Sequence, residues 1–355
     1  MKKKIIVLGA TGSIGQSTLD IIEKCNDKFQ VVGVSANSNK KKLSEICKKF
    51  GPNNVLFSDK NVQNNLQKSE FNGDTKFFFG NDLYQEFFDI DFDLVVNGIS
   101  GFAGIKPTFV VIEKGKDIAI ANKETIVSGG KLIIEKSKLS GSKIIPIDSE
   151  HNALFQLMKN YELHEIDKIT LTASGGPFRR DTYKELSKRK YSEALNHPTW
   201  NMGTKNTIDS ASLMNKGLEV IEASVLFSIP SNKISVLVHP ESIIHGIVHL
   251  IDGGIISYMS QPDMRVPIYN AMNFPNTFKH FLPSYKFGNL SFHDLNENIF
   301  PSIKIARYAL KKGFIATNFF NAANEIAVES FIKNEINFTT IFSNFTWPFR
   351  PEMSK

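Results

Sequence analysis

Three acidic side chains stand where chemistry is plausible. Asp148-Ser149-Glu150 follows the apolar run Ile144-Ile145-Pro146-Ile147, and Glu219 closes the polar segment Ser212-Leu213-Met214-Asn215-Lys216-Gly217-Leu218-Glu219. If the run ends in extended backbone, Asp148 and Glu150 point to one side of it. Oxygen-only donors with no cysteine nearby suit a hard cation such as Mg²⁺ or Mn²⁺, with Co²⁺ a further divalent candidate. The pattern equally allows a simpler role, in which Asp148 caps a following helix and Glu150 sits in its first turn. On residue types alone both readings stay open.

A second constellation lies at the N-terminus. The run Lys4–Leu8 leads into Gly9-Ala10-Thr11-Gly12-Ser13-Ile14-Gly15 and then an amphipathic segment, the order strand, glycine turn, helix. Such a turn brings backbone N–H groups and the positive helix end against a pyrophosphate. The spacing is G-x-x-G-x-x-G, looser than the stricter dinucleotide fingerprint. The next strand ends in Ser35-Ala36-Asn37-Ser38-Asn39-Lys40, without the acid that accepts the ribose hydroxyls of NAD. Amides, hydroxyls and lysines welcome a 2′-phosphate there, so NADP is expected over NAD.

Other polar sets carry less. His239, His245 and His249 fall in strand-like segments without a paired acid or cysteine, so a structural role is expected over zinc. Ser174 in Ala173-Ser174-Gly175-Gly176 lacks a nucleophile elbow and a triad; a phosphate-binding turn is the better reading.

These residues need elements to hold them. Through about residue 150, strands (Lys4–Leu8, Gln30–Ser35, Asn54–Phe57, Leu94–Asn97, Ile118–Ala121, Ile144–Ile147) alternate with helices (Ser13–Lys24, Asn39–Phe50, Lys106–Lys114, Ser128–Leu139), as in a doubly wound α/β fold. The Asn-rich stretch 59–75 interrupts that rhythm. After the strand Ile169–Thr172, a charged segment leads to His197-Pro198-Thr199-Trp200. Asp209–Leu226 reads as one helix, and Ile234–His239, Gly246–Ile251 and Ile255–Met259 read as antiparallel strands, making this part α+β. Ile303–Lys311 and Asn321–Phe331 are expected to be helical.

Composition frames the partners. The 355 residues exceed one ordinary core, and 41% hydrophobic with 22% charged is globular. No apolar run spans a membrane, and Ile5–Leu8 is too short for a signal peptide. Cys25 and Cys47 form neither a metal spacing nor a disulfide framework, which fits a reducing cytoplasm. The net charge of +6 is scattered, pointing to small anionic ligands and away from nucleic acid.

Taken together, the glycine turn, Ala121-Asn122-Lys123-Glu124, Asp148-Ser149-Glu150-His151-Asn152-Ala153, Ser174-Gly175-Gly176-Pro177-Phe178, His197-Pro198-Thr199-Trp200-Asn201-Met202-Gly203, the segment Asp209–Glu219 and Asn321-Ala322-Ala323-Asn324-Glu325 resemble the 1-deoxy-D-xylulose 5-phosphate reductoisomerase family, in the family's order. The resemblance implies conversion of that sugar phosphate to 2-C-methyl-D-erythritol 4-phosphate in the non-mevalonate isoprenoid route. The carbon skeleton rearranges, and NADPH reduces the resulting aldehyde.

It implies Asp148, Glu150 and Glu219 as metal ligands, and Lys123 and Ser149 beside the reacting oxygens. Ser174, Ser210, Asn215 and Lys216 match a phosphate pocket. His197, Trp200 and Met202 match a loop, about 184–204, that closes over substrate. Thr11, Gly12, Ser13, Ile14, Ala36, Asn37, Ser38, Asn122, Glu124 and Gly203, with Lys123 and Met202, match the cofactor side. The implied arrangement is an NADPH domain over 1–149, a catalytic and dimerisation domain over 150–290 in a homodimer, and a helical region over 291–355. The competing readings are another NADP-dependent oxidoreductase on the same first domain and a nucleotide sensor without catalysis. The last segment departs from the family: Trp347, Pro348, Pro351 and the five phenylalanines from Phe331 to Phe349 make a poor terminal helix, so a shortened tail with uncovered apolar surface is expected.

Overall fold

A computed structural model describes residues 1–200, 202–283, 285 and 288–343. The chain forms two compact units. The first gathers Met1–Thr125, Lys131–Asn152 and Asp263–Pro283; the second holds Ile126–Gly130, Ala153–Pro262 and the described residues after Pro283. Among the described residues no helix is long and apolar enough to cross a membrane.

The first unit is built on β1 (Lys3–Leu8), β2 (Phe29–Ala36), β3 (Asn54–Phe57), β4 (Lys76–Phe79), β5 (Leu94–Asn97), β6 (Asp117–Ile120) and β7 (Ile144–Pro146). They form one parallel sheet in the order β4-β3-β2-β1-β5-β6-β7. Ile5 to Leu8 and Leu94 to Val96 are fully buried, as continuous apolar runs must be when helices cover both faces of a parallel sheet. The doubly wound expectation holds. The edge strand β4 was not anticipated, because its four residues follow the polar stretch that the 3₁₀ turns Lys60–Asn65 and Lys68–Glu70 occupy.

One helix begins earlier than its pattern suggested, at Lys123 and not at Ser128. The reason is Asn122, whose side chain accepts the Thr125 N–H at 3.0 Å. That helix, Lys123–Ser140, is interrupted at Gly130, where φ is 52°.

The second unit carries β8 (Ile166–Ala173), β9 (Ile234–Val238), β10 (Ile244–Leu250), β11 (Ile255–Met259) and β12 (His293–Asp294), in the order β11-β10-β8-β9-β12. The expectation that β9 is antiparallel fails with respect to its neighbour β8, to which it runs parallel. The connection between them contains the helices Thr204–Ala211 and Met214–Phe227, long enough for a crossover. The single helix expected over Asp209–Leu226 is thus two, broken where Leu213 takes a left-handed conformation with φ 58°. Against their other face pack the helices Ser302–Lys312 and Phe314–Ile332, burying Ile305, Ala306, Phe320 and Val328. Gly217 lets them approach: a Cβ there would lie 2.9 Å from the Phe320 ring and 3.0 Å from the Ser302 carbonyl.

Phe331, Phe338 and Phe342 are buried in the same core, with Phe338 edge-on to Phe178 at 5.1 Å. Ile315 and Ile326 are exposed. Phe345, Trp347, Phe349 and both prolines of the unusual tail lie outside the described residues.

Candidate active site

The strand order reverses between β1 and β5, and in a doubly wound sheet ligands bind at that switch point, beyond the carboxyl ends of the strands. Gly9-Ala10-Thr11-Gly12-Ser13-Ile14-Gly15 lies there. Gly9 has φ 68°, and a Cβ on Gly15 would fall 2.5 Å from the Ala10 Cα, so the turn closes only with hydrogen at that position. No side chain caps the helix Ser13–Lys24 at Gly12, and its first turn holds no acid. Its leading N–H groups and positive end are therefore suited to a pyrophosphate. Gly15→Val should weaken NADPH binding by at least about tenfold, since the side chain must displace backbone; titration of nucleotide fluorescence checks this, and unchanged affinity would remove the turn from the cofactor site.

Ala36, Asn37 and Ser38 lie at the end of β2. Ser58 Oγ donates to Asn37 Oδ1 at 2.8 Å, and Asn39 caps the helix Lys40–Phe50 by accepting the Lys42 N–H at 3.1 Å. Lys42 Nζ donates to the Thr11 carbonyl at 2.9 Å, which puts a cation on the glycine turn. The loop Gly98-Ile99-Ser100-Gly101 after β5 also borders the switch point and was missed. Its signal was a glycine-bounded turn leaving an apolar strand. Asn122 Nδ2 fixes this loop by donating to the carbonyls of Ile99 and Gly101 at 2.5 and 2.6 Å. Lys123 and Glu124 are buried beside it.

Of the two arrangements left open for Asp148 and Glu150, the helical one is found and the shared extended strand is not. β7 ends at Pro146 and a helix starts at Ser149, so Glu150 lies in its first turn. Asp148 takes the capping role: its Oδ1 accepts the Glu150 N–H at 3.3 Å and also meets His151 Nδ1 at 3.0 Å. Its Oδ2 pairs with the ammonium of Lys123, each side chain about one-tenth exposed. Ser149 Oγ donates to Glu150 Oε2 at 2.5 Å. His151, fully buried, is a partner of Asp148 that residue patterning did not single out.

The second unit brings together another set. Ser174 starts a turn in which Gly175 and Gly176 have positive φ, and its Oγ accepts the Gly176 N–H at 3.3 Å. His197 Nε2 lies 3.0 Å from Ser174 Oγ and 3.1 Å from Ser210 Oγ. Its Nδ1 accepts the N–H groups of Thr199 and Trp200 at 3.1 and 2.9 Å. An atom receiving two N–H groups carries no proton, so the neutral ring holds its hydrogen on Nε2 and offers it to the two hydroxyls.

Burial pushes the His197 imidazole down from 6.5 to about 4. Between those values the unfolded chain binds the proton and the folded one does not. Folding stability should therefore be highest above pH 6.5 and fall as pH drops towards 4. Thermal melts across that window should show a smaller acid loss for His197→Asn; an identical slope would mean that His197 is not the group responsible.

Trp200 is half-buried, its ring 6.2 Å from that of His245, and Met202 and Gly203 lead into the helix Thr204–Ala211. Glu219 is fully buried. Asn215 Nδ2 donates to its Oε1 at 2.6 Å and the buried Lys216 ammonium pairs with its Oε2. Thus Ser174, His197 and Ser210 form one cluster and Asn215, Lys216 and Glu219 another. Each of the three candidate ligands offers hard carboxylate oxygens: Asp148 and Glu219 are paired with a lysine ammonium, and Glu150 accepts the Ser149 hydroxyl. That donor set fits a divalent ion.

A doubly wound sheet whose glycine turn meets an uncapped helix end is the architecture of a nucleotide-dependent oxidoreductase. The family models place it further. The 1-deoxy-D-xylulose 5-phosphate reductoisomerase model matches residues 5–130, the model of that enzyme's C-terminal domain matches 144–227, and a further DXP reductoisomerase C-terminal domain matches 259–346. The chain belongs to the 1-deoxy-D-xylulose 5-phosphate reductoisomerase family. It is 45% identical to the reductoisomerase of Clostridium kluyveri and 43% to that of Thermodesulfovibrio yellowstonii, in each case over 96% of this chain and 90% of the relative. Among solved structures, a DOX-P reductoisomerase in complex with NADPH, fosmidomycin and magnesium superposes with a TM-score of 0.90 at 34% identity, covering 99% of this chain and 92% of that one. The Zymomonas mobilis enzyme in complex with NADPH gives 0.88 at 38% identity, over 96% and 89%.

Proposed function

We propose that this chain isomerises and reduces 1-deoxy-D-xylulose 5-phosphate to 2-C-methyl-D-erythritol 4-phosphate with NADPH and a divalent cation, in isoprenoid precursor synthesis. The observation that carries this is the coexistence, in one member of the family, of the glycine turn, the oriented carboxylates and the hydroxyl–imidazole cluster. Asp148, Glu150 and Glu219 would hold the cation, Mg²⁺ or Mn²⁺ by the hardness of the donors. When bound, the cation supplies positive charge beside two neighbouring substrate oxygens and NADPH supplies the hydride.

The chain's own groups bind and orient. Ser174, Ser210 and the Nε2–H of His197 donate to the phosphate, and Asn215 and Lys216 complete the pocket. Neutral His197 suits this role because it stays a donor through the physiological range. Lys123 and Ser149 donate to the reacting oxygens as charge develops there. Trp200 and Met202, on the segment about 184–204, exclude water from the aldehyde before reduction. Thr11 to Ile14 take the pyrophosphate, Ala36 to Ser38 the 2′-phosphate end, and Asn122, Glu124 and Gly203 the nicotinamide side. We place the protein in the cytoplasm as a homodimer.

The test follows NADPH absorbance with 1-deoxy-D-xylulose 5-phosphate. Oxidation should require Mg²⁺ or Mn²⁺ and stop with EDTA. Folded protein that consumes no NADPH at saturating metal would refute the proposal, and metal-independent oxidation of some other substrate would make it a different oxidoreductase.

A further inference from the structure

The segment Asn321-Ala322-Ala323-Asn324-Glu325 has no part in the chemistry above, yet its Asn324 is fully buried and reaches a residue next to the phosphate cluster. Asn324 Nδ2 donates to Asp209 Oδ1 at 2.9 Å. Asp209 is itself 1% exposed, and its Oδ2 receives Lys205 Nζ at 2.7 Å. Ser210 follows it directly, with its hydroxyl 3.1 Å from His197 Nε2.

Asp209 sits badly by local rules. It lies in the last turn of the helix Thr204–Ala211, where the dipole disfavours an anion, and burial disfavours it further. Two specific donors, Lys205 and Asn324, hold it in place. The orientation of Asn324 is set by the same pair, because a carboxylate accepts only the amide NH₂ and would repel the amide oxygen. The Asn324 oxygen is left buried without a partner, so this side chain is retained at a cost for what its nitrogen does.

We propose that Asn324 is a positioning residue for the phosphate pocket: through Asp209 it locks the last turn of the helix Thr204–Ala211 and so the direction of the Ser210 hydroxyl. This rests on the assignment of Ser174, His197 and Ser210 to the substrate phosphate. A side chain that merely fills the core would affect folding. One that aims Ser210 must affect recognition of the phosphoryl group in particular.

The experiment compares Asn324→Leu, Asn324→Asp, the exchange Asp209→Asn with Asn324→Asp, and Ser210→Ala. Readouts are the KM of the phosphorylated sugar, inhibition by inorganic phosphate, the KM of NADPH, and thermal melts as a check of folding. Asn324→Leu and Asn324→Asp should raise the sugar KM and the phosphate inhibition constant about tenfold, the size expected when one charge-assisted hydrogen bond is lost. The NADPH KM should stay within about twofold, since the cofactor contacts are untouched. The exchange rebuilds an amide–carboxylate bond and should recover most of the loss. Should Asn324→Leu not be recovered folded, Asn324→Ser, which leaves room for water against Asp209, carries the same comparison.

Folded Asn324 variants with unchanged sugar KM and phosphate inhibition, while Ser210→Ala raises both, would overturn the inference alone. Equal loss on sugar and NADPH would also overturn it, as a purely structural effect. If Ser210→Ala changes neither constant, the phosphate pocket itself is wrongly placed, and the inference falls with it.

Discussion

Glu219→Gln should lower turnover at least about 100-fold while leaving the affinity for NADPH within about twofold, because an ion-binding carboxylate contributes several kcal/mol to charge stabilisation. Glutamine keeps the shape and can still meet Asn215, but it removes the anion from beside the buried Lys216 ammonium. Breaking a buried pair from one side is costly, so the variant should also melt earlier, and divalent ions should no longer raise its melting temperature. Nucleotide affinity is spared because Glu219 is not among the groups assigned to the cofactor. Stopped-flow turnover and nucleotide titration on one preparation separate the two. Equal losses in both would mean that Glu219 acts through the fold and not at a metal.

Lys123→Met removes the cation from Asp148 Oδ2. Without metal, the variant should melt roughly 5–10 °C lower, the size expected for exposing a buried carboxylate to the loss of its partner. Added Mg²⁺ or Mn²⁺ should restore much of that loss, since a bound ion neutralises the same carboxylate. Turnover should remain about 100-fold down even at saturating metal, because the donor to the reacting oxygens is gone. Scanning calorimetry with and without metal, beside the rate, checks both halves. Full recovery of rate by metal would confine Lys123 to a structural role.

The parts of this molecule legible in the sequence are those written locally. The glycine turn could be read because strand, turn and helix are contiguous and the steric need at Gly15 is met within six residues. The parallel sheet was legible because buried parallel strands are uninterrupted apolar runs, as in Ile5 to Leu8. The acids were found by type, and of the two local geometries the pattern allowed, the helical one holds: Glu150 lies in the first turn and Asp148 caps it.

What stayed illegible depends on distant pairing. The direction of β9 follows from its seat beside β8, which no pattern within Ile234–Val238 encodes. The break at Leu213 interrupts an apolar period that looks continuous. Asn324 meets Asp209 across 115 positions, and nothing near either residue announces the other.

The claim on which the account turns is that Asp148, Glu150 and Glu219 share one divalent ion. Mn²⁺ binding followed by electron paramagnetic resonance on the full chain, with Asp148→Asn, Glu150→Gln and Glu219→Gln in parallel, tests it most directly. The account predicts one tight Mn²⁺ per chain, displaced by Mg²⁺, with affinity reduced at least about tenfold in each variant. Undiminished binding in Glu219→Gln, or two ions lost separately by the two halves of the set, would contradict it.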